Sequence, residues 1–182
     1  MHFRSVIVLL AALVVATAVG CGGDLPEPIL PPPNPELAQS YFERAMANTY
    51  LGKYELSIQD FDKAIQINPT SESYLNRGHS YAFLEDWEKC INDTSSAIKA
   101  LPNSHLRVQS EWVADAYTMR GYCYHQLKEF DSAIADYSMA IEVAPSYPYS
   151  YWRRAEVYND TGEQEKAKAD RDKACSLDSK SC

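Results

Sequence analysis

Proline is scarce through most of this 182-residue chain, six of its ten prolines lying between Pro26 and Pro35. Beyond residue 36 only Pro69, Pro102, Pro145 and Pro148 remain. Long proline-free blocks closed by single prolines favour helices with punctuated ends, because an interior proline removes a hydrogen bond and clashes with the preceding turn. Glycine is equally sparse, and no glycine-bounded alternating run reads as a strand. No apolar run is long enough for a comfortable membrane span, since Val6 to Val19 supplies only about 14 residues. Positive charge is also short: 17 Lys and Arg stand against 25 Asp and Glu, a formal charge of -8. That balance repels phosphate backbones and excludes nucleic acid as a partner. GxSxG, phosphate-loop and HExxH motifs are all missing. The composition itself, 46% hydrophobic, 12% aromatic and 23% charged, is that of a globular domain rather than a disordered chain.

What is present begins with a leader. His2 and Arg4 precede the apolar run, and Gly20-Cys21-Gly22-Gly23 closes it, the layout of a secretory signal peptide over residues 1–20. Ala18-Val19-Gly20-Cys21 resembles the lipobox of bacterial lipoproteins, with Ala18 where that family usually has Leu. The resemblance implies a covalent lipid on Cys21, the new N-terminus after cleavage, and no other cofactor. The Pro-rich segment that follows (GGDLPEPILPPPN) makes residues 21–35 a tether. In polyproline II form, at about 3 Å per residue, it would hold a domain up to roughly 40 Å from a lipid surface. In the family an aspartate directly after the cysteine favours inner-membrane retention; here Gly22 stands there. The resemblance thus implies the periplasmic face of the outer membrane in a double-membraned cell, and otherwise the outer face of the cell membrane.

The rest of the chain repeats. Ala45, Gly78, Gly121 and Ala155 are each followed twelve residues later by another small residue, Ser57, Cys90, Ala133 and Ala167. Tyr41, Tyr74, Tyr117 and Tyr151 stand four before the first small residue, and Ala64, Ala97, Ala140 and Ala174 seven after the second. Close helix approach needs such small pairs. This pattern resembles the tetratricopeptide repeat, a 34-residue antiparallel helix pair. The resemblance implies an all-α fold, a right-handed α-solenoid of four helix pairs, over residues 36–182. Its units fall at about 38–70, 71–104, 114–147 and 148–181, with 105–113 as a helical insertion lengthening the third unit's first helix by two to three turns. Within that insertion Trp112 either covers the groove edge or packs against the second unit, the packing being the more expected. Glu163 to Lys173 (EQEKAKADRDK) reads as the polar outer cap that a solenoid's last helix needs.

Charge repeats as well. Arg44, Arg77, Arg120 and Arg154 each precede the small residue of a first helix, and Asp60, Asp93, Asp136 and Asp170 lie sixteen residues later. Four opposite-charge recurrences predict structural ion pairs between packed helices. Among the cysteines, Cys175 and Cys182 are candidates for a disulfide clipping the tail to the last helix. Cys90 and Cys123 read instead as small core residues standing in for alanine. His79, His105 and His125 form no pair at metal-ligand spacing, so neither a metal site nor a catalytic centre is expected.

In a tetratricopeptide array the first helices line a concave groove. Helical spacing assigns to it Phe42, Met46 and Tyr50; Leu75, His79 and Phe83; Thr118, Tyr122 and Gln126; Trp152 and Glu156. Tyr122, Phe83 and Trp152 serve as aromatic anchors, with His79 and His125 as polar contacts. The expected function is a membrane-anchored, non-enzymatic scaffold of the bacterial cell envelope that binds a peptide or helix of an envelope protein. The alternative, a small-solute receptor or enzyme, requires a closed pocket where His79, Tyr122 and His125 converge.

Overall fold

The computed structural model describes residues 34–101 and 110–178. Cys21, Cys182, His105 and the signal-peptide and tether residues before 34 lie outside the described residues. Eight helices and no strand occur among those described. They are α1 (Pro35–Tyr50), α2 (Tyr54–Ile67), α3 (Ser71–Phe83), α4 (Trp87–Lys99), α5 (Ser110–Gln126), α6 (Phe130–Val143), α7 (Pro148–Asp160) and α8 (Gln164–Leu177).

Local chemistry explains where several of them start. Asn34, Thr70 and Asp86 accept hydrogen bonds from the backbone N–H groups of Leu37, Ser73 and Lys89, satisfying donors that no helix turn can reach. Pro35 and Pro148 sit in first turns, where a missing N–H costs nothing. The turn inside each pair places one residue in the left-handed region, Gly52, Glu85, Lys128 and Gly162 in the four units. Helix α5 begins at Ser110, so the described part of the predicted extension amounts to about one turn.

Paired helices pack most closely, and successive pairs then stack in order. First helices of neighbouring units also touch (α1 with α3, α3 with α5, α5 with α7), whereas second helices meet no other second helix. First helices therefore line the inner side of a helical solenoid. The small residues sit at the crossings: Ala45, Ser57, Cys90, Ala133 and Ala167 are wholly buried. Trp112 packs against Leu75, Ala97 and Ala116, across the junction of units two and three.

Each arginine lies against its aspartate. Nε and Nη2 of Arg44, Arg77, Arg120 and Arg154 donate to the two carboxylate oxygens of Asp60, Asp93, Asp136 and Asp170, at 2.5–2.9 Å. The third nitrogen, Nη1, reaches back to the preceding unit in three cases: Arg77 to Asp62 at 2.6 Å, Arg120 to Ser95 at 3.2 Å and Arg154 to Ser138 at 2.8 Å. One guanidinium thus ties three helices together. Burial opposes the charge on Arg77, but its hydrogen bonds to Asp93 and Asp62 outweigh burial and hold it protonated. The Asp60 carboxyl is pushed below its ordinary range by the hydrogen bond from Arg44.

One cysteine expectation is corrected. Cys90 and Cys123 are not alanine substitutes but form a disulfide from α4 to α5, joining units two and three. They occupy facing small positions of adjacent helices, with Cα atoms 6.4 Å apart, within the span that a disulfide bridges. Cys175 is also disulfide-bonded, while its expected partner Cys182 is outside the described residues.

Candidate functional site

The inner face carries a line of aromatic rings, most of them contributed by the first helices. Tyr54 and Phe83 stack with centroids 4.6 Å apart and planes 7° from parallel. Tyr122 meets Trp87 edge-on at 5.8 Å, and Tyr149 stacks on Trp152 at 6.1 Å. Between the last two groups lies Arg153, its guanidinium 4.6 Å from the ring centre of Tyr122 and 4.9 Å from those of Tyr149 and Trp152. Arg153 also donates to the Tyr149 hydroxyl at 2.8 Å and to Glu156 at 3.0 Å. Its cation is held rigid, flanked by faces that attract it.

A cavity of about 300 Å³ opens at this point, lined by His79, Phe83, Asp115, Met119, Tyr122, Tyr149 and Arg153, with Ala82 and Thr118 beneath. At its polar end His79 Nε2 is 3.4 Å from Asp115. The other oxygen of that carboxylate lies 3.4 Å from the Tyr147 hydroxyl. Burial, with Asp115 adding to it, pushes the Tyr147 phenol up to about 12. The surface thus offers apolar faces, one fixed cation and a small acid–imidazole pair.

The expected groove residues divide. Met46, Tyr50, Phe83 and Gln126 are exposed, and His79, Tyr122, Trp152 and Glu156 half-buried along this face. Tyr50 is the most open of them at 92% exposure. Phe42 turns partly inward to meet Phe61 at 5.7 Å. Leu75 is corrected: it is buried and packs with Ala97 and Ala116, in the seam between units and not in the groove. Thr118 is buried too and hydrogen-bonds Ser150 at 2.7 Å, but it lines the inner-face cavity. His125 Nε2 lies 2.7 Å from Asp160, and His125 lines a second cavity of about 320 Å³ with Tyr122, Gln126, Arg153 and Glu156, whereas His79 lines the first, so His79 and His125 do not share one pocket.

Sequence reasoning missed Asp115, Met119, Tyr149 and Arg153. They stand six and two residues before Gly121 and Ala155, four apart on one side of each helix. Reading that second stripe beside the first would have found them. Among the described residues no three His, Cys, Asp or Glu side chains gather to hold a metal ion, and no helix is long and apolar enough to cross a membrane.

Stacked helix pairs whose first members line an inner aromatic face define a helical-repeat protein. Models of the tetratricopeptide repeat match residues 38–71, 114–147 and 148–181, together more than half the chain, and the chain belongs to that family. No curated protein sequence matches it significantly. Among solved structures, MamA superposes with a TM-score of 0.69 at 21% identity, over 81% of each chain. MamA from Desulfovibrio magneticus RS-1 gives 0.68 at 15% identity, over 79% of this chain and 76% of that one. The second tetratricopeptide domain of human RPAP3, solved in complex with the HSP70 peptide SGPTIEEVD, gives 0.60 at 19% identity, over 68% of this chain and 98% of that one. At such identities the likeness is one of fold.

Proposed function

We propose that this chain is a lipid-anchored scaffold of the bacterial cell envelope that holds a peptide or helix of a partner protein along its inner face. The observation that carries the reading is the aromatic line with Phe83 59% and Tyr149 39% exposed on either side of the Arg153 cavity. Rigid amphipathic rings supply contact area at little entropic cost, and such rings with arginine are what binding surfaces concentrate. A domain of the same fold, that of human RPAP3, was solved with a peptide, which supports this mode of use. Phe42 and Met46 occupy places where some relatives carry the Lys and Asn of a carboxylate clamp, so a mostly apolar segment is the fitting occupant. Arg153 adds a seat for one acidic side chain.

Export and anchoring rest on the leader and Cys21. Two further features agree with them: disulfides at Cys90–Cys123 and at Cys175 persist in oxidising compartments, and Gly22 follows the cysteine. The proposed location is the periplasmic face of an outer membrane where two membranes exist.

Two measurements test the proposal. Cys21→Ser should move the protein from the membrane fraction to the soluble one; a wild-type N-terminus without acyl mass refutes anchoring. Phe83→Ala should keep full helicity and weaken capture of envelope proteins by about 30-fold, the usual cost of a truncated aromatic anchor. Unchanged capture by that folded variant moves the interface off the inner face. Tyr122→Ala is a less clean probe, because Tyr122 packs against the cluster around the Cys90–Cys123 bridge.

A further inference from the structure

Two cavities lie side by side on the inner face, and we infer that together they read a partner segment, the first seating a large apolar side chain and the second a lysine or arginine. This rests on the proposed use of the inner face and names the chemistry of its occupant.

The cavities share one wall, Tyr122 and Arg153. Beyond that wall their linings differ. The first is faced by the hydrocarbon of Ala82, Phe83 and Met119 and by the Tyr149 ring, with His79 and Asp115 at one end. The second is completed by His125, Gln126, Glu156, Asn159 and Asp160, polar groups throughout. Formal charge, with histidine counted as neutral, divides in the same way. Asp115 and Arg153 cancel in the first cavity, whereas Glu156 and Asp160 outnumber Arg153 in the second and leave one negative charge there.

Three further features favour a cation in the second cavity. Arg153 is already answered by Glu156, to which its Nη1 donates at 3.0 Å, so Asp160, 56% exposed, is the carboxylate left open to a new partner. Helices α5 and α7 both end at this cavity, on Gln126 and Asp160, and a helix C-terminus carries partial negative charge that attracts cations. The third feature is the His125 ring. Its Nε2 lies 2.7 Å from a carboxylate that can only accept, so the neutral ring donates there and keeps Nδ1 as its acceptor. Nδ1 is buried without a hydrogen-bond partner, and a donor-bearing side chain would satisfy it. Lysine and arginine bring donors and positive charge together. Because the cavities are divided by only one ring and one guanidinium, they suit same-side neighbours of the segment, two residues apart in an extended chain and three or four in a helix.

Selection of random peptides displayed on phage, against the full chain in a non-ionic detergent, tests the inference. Enriched peptides should carry a large apolar residue with Lys or Arg two to four positions away. A synthetic copy of one, titrated by fluorescence anisotropy, should bind Asp160→Lys at least tenfold more weakly than wild type, since repulsion replaces attraction, and Asp160→Asn several-fold more weakly. Glu142→Lys makes the same change of net charge on the second helix α6 and should leave binding unchanged. Circular dichroism confirms that each variant is folded. Selection repeated on Asp160→Lys should exchange the basic residue for Asp or Glu and keep the apolar one. Peptides that need Phe83 yet carry no basic residue, or that Asp160→Lys leaves unweakened, overturn this inference while the inner-face reading stands. No enrichment, or enriched peptides indifferent to Phe83→Ala, overturns that reading and the inference with it.

Discussion

The ring of Tyr137 lies so close over Gly121 that a methyl group on the glycine would stand 2.9 Å from Cε1. At the equivalent place in the second unit, Gly78 faces Thr94, whose nearest side-chain atom would be 3.1 Å away. The threonine methyl can give by a few tenths of an ångström, whereas the wholly buried Tyr137 ring has nowhere to go. Gly121→Ala should therefore cost about 1–3 kcal/mol by overpacking. Gly78→Ala should be near neutral, because alanine's helix preference of about 1 kcal/mol offsets the milder crowding. Chemical denaturation of the two variants side by side checks the order.

The four Arg–Asp pairs look alike in geometry but differ in what is left when the acid is removed. Asp136→Ala leaves Arg120, only 21% exposed, without its counter-charge, and should destabilise by about 3 kcal/mol. Asp60→Ala leaves the open Arg44, which rehydrates, so the loss should be clearly smaller. Equal losses would mean that the pairs act through shape rather than charge.

These pairs, the small-residue crossings and the helix count were legible because each recurs in every unit at fixed spacing, and recurrence separates a packing rule from chance. The inner face was legible only in part. A helix in the stack touches its own partner, the preceding pair and the next first helix, so three faces of it are contacts and the open strip is narrow. Leu75 falls one step off that strip and is buried, while Tyr149 and Arg153 fall on it and were passed over. The Cys90–Cys123 bridge escaped because cysteine at a crossing looks like any small residue. Only registering α4 against α5 brings the two thiols together.

Removing that bridge has a calculable effect. It closes a sequence separation of 33 residues, and the chain-entropy relation gives about 3–4 kcal/mol of stabilisation for such a loop. Cys90→Ala with Cys123→Ala should lower the denaturation midpoint accordingly, with helicity in native buffer preserved. A midpoint equal to the wild type's would show that the bridge does not restrain the unfolded chain.

Alkali should unfold the domain. Burial raises the Tyr137 phenol far above its ordinary value, and burial with Asp115 holds Tyr147 at about 12. For groups raised in the folded state, stability is fully present below the unfolded phenol value near 10 and drains away as pH climbs toward and past 12. Phenolate absorbance and far-ultraviolet ellipticity recorded together should show the last tyrosines ionising as helix is lost. Complete ionisation with intact helicity would contradict the burial of Tyr137.

The bridge between α4 and α5 also decides how the molecule behaves under load. Pulled from its two ends, an array held only by neighbour contacts peels unit by unit and surrenders its whole contour length. Here the outer units can be drawn out, but the stretch from Cys90 to Cys123 stays a closed ring, withholding about 110 Å of extension until the sulfur–sulfur bond is reduced. The middle of the array is a mechanical stop.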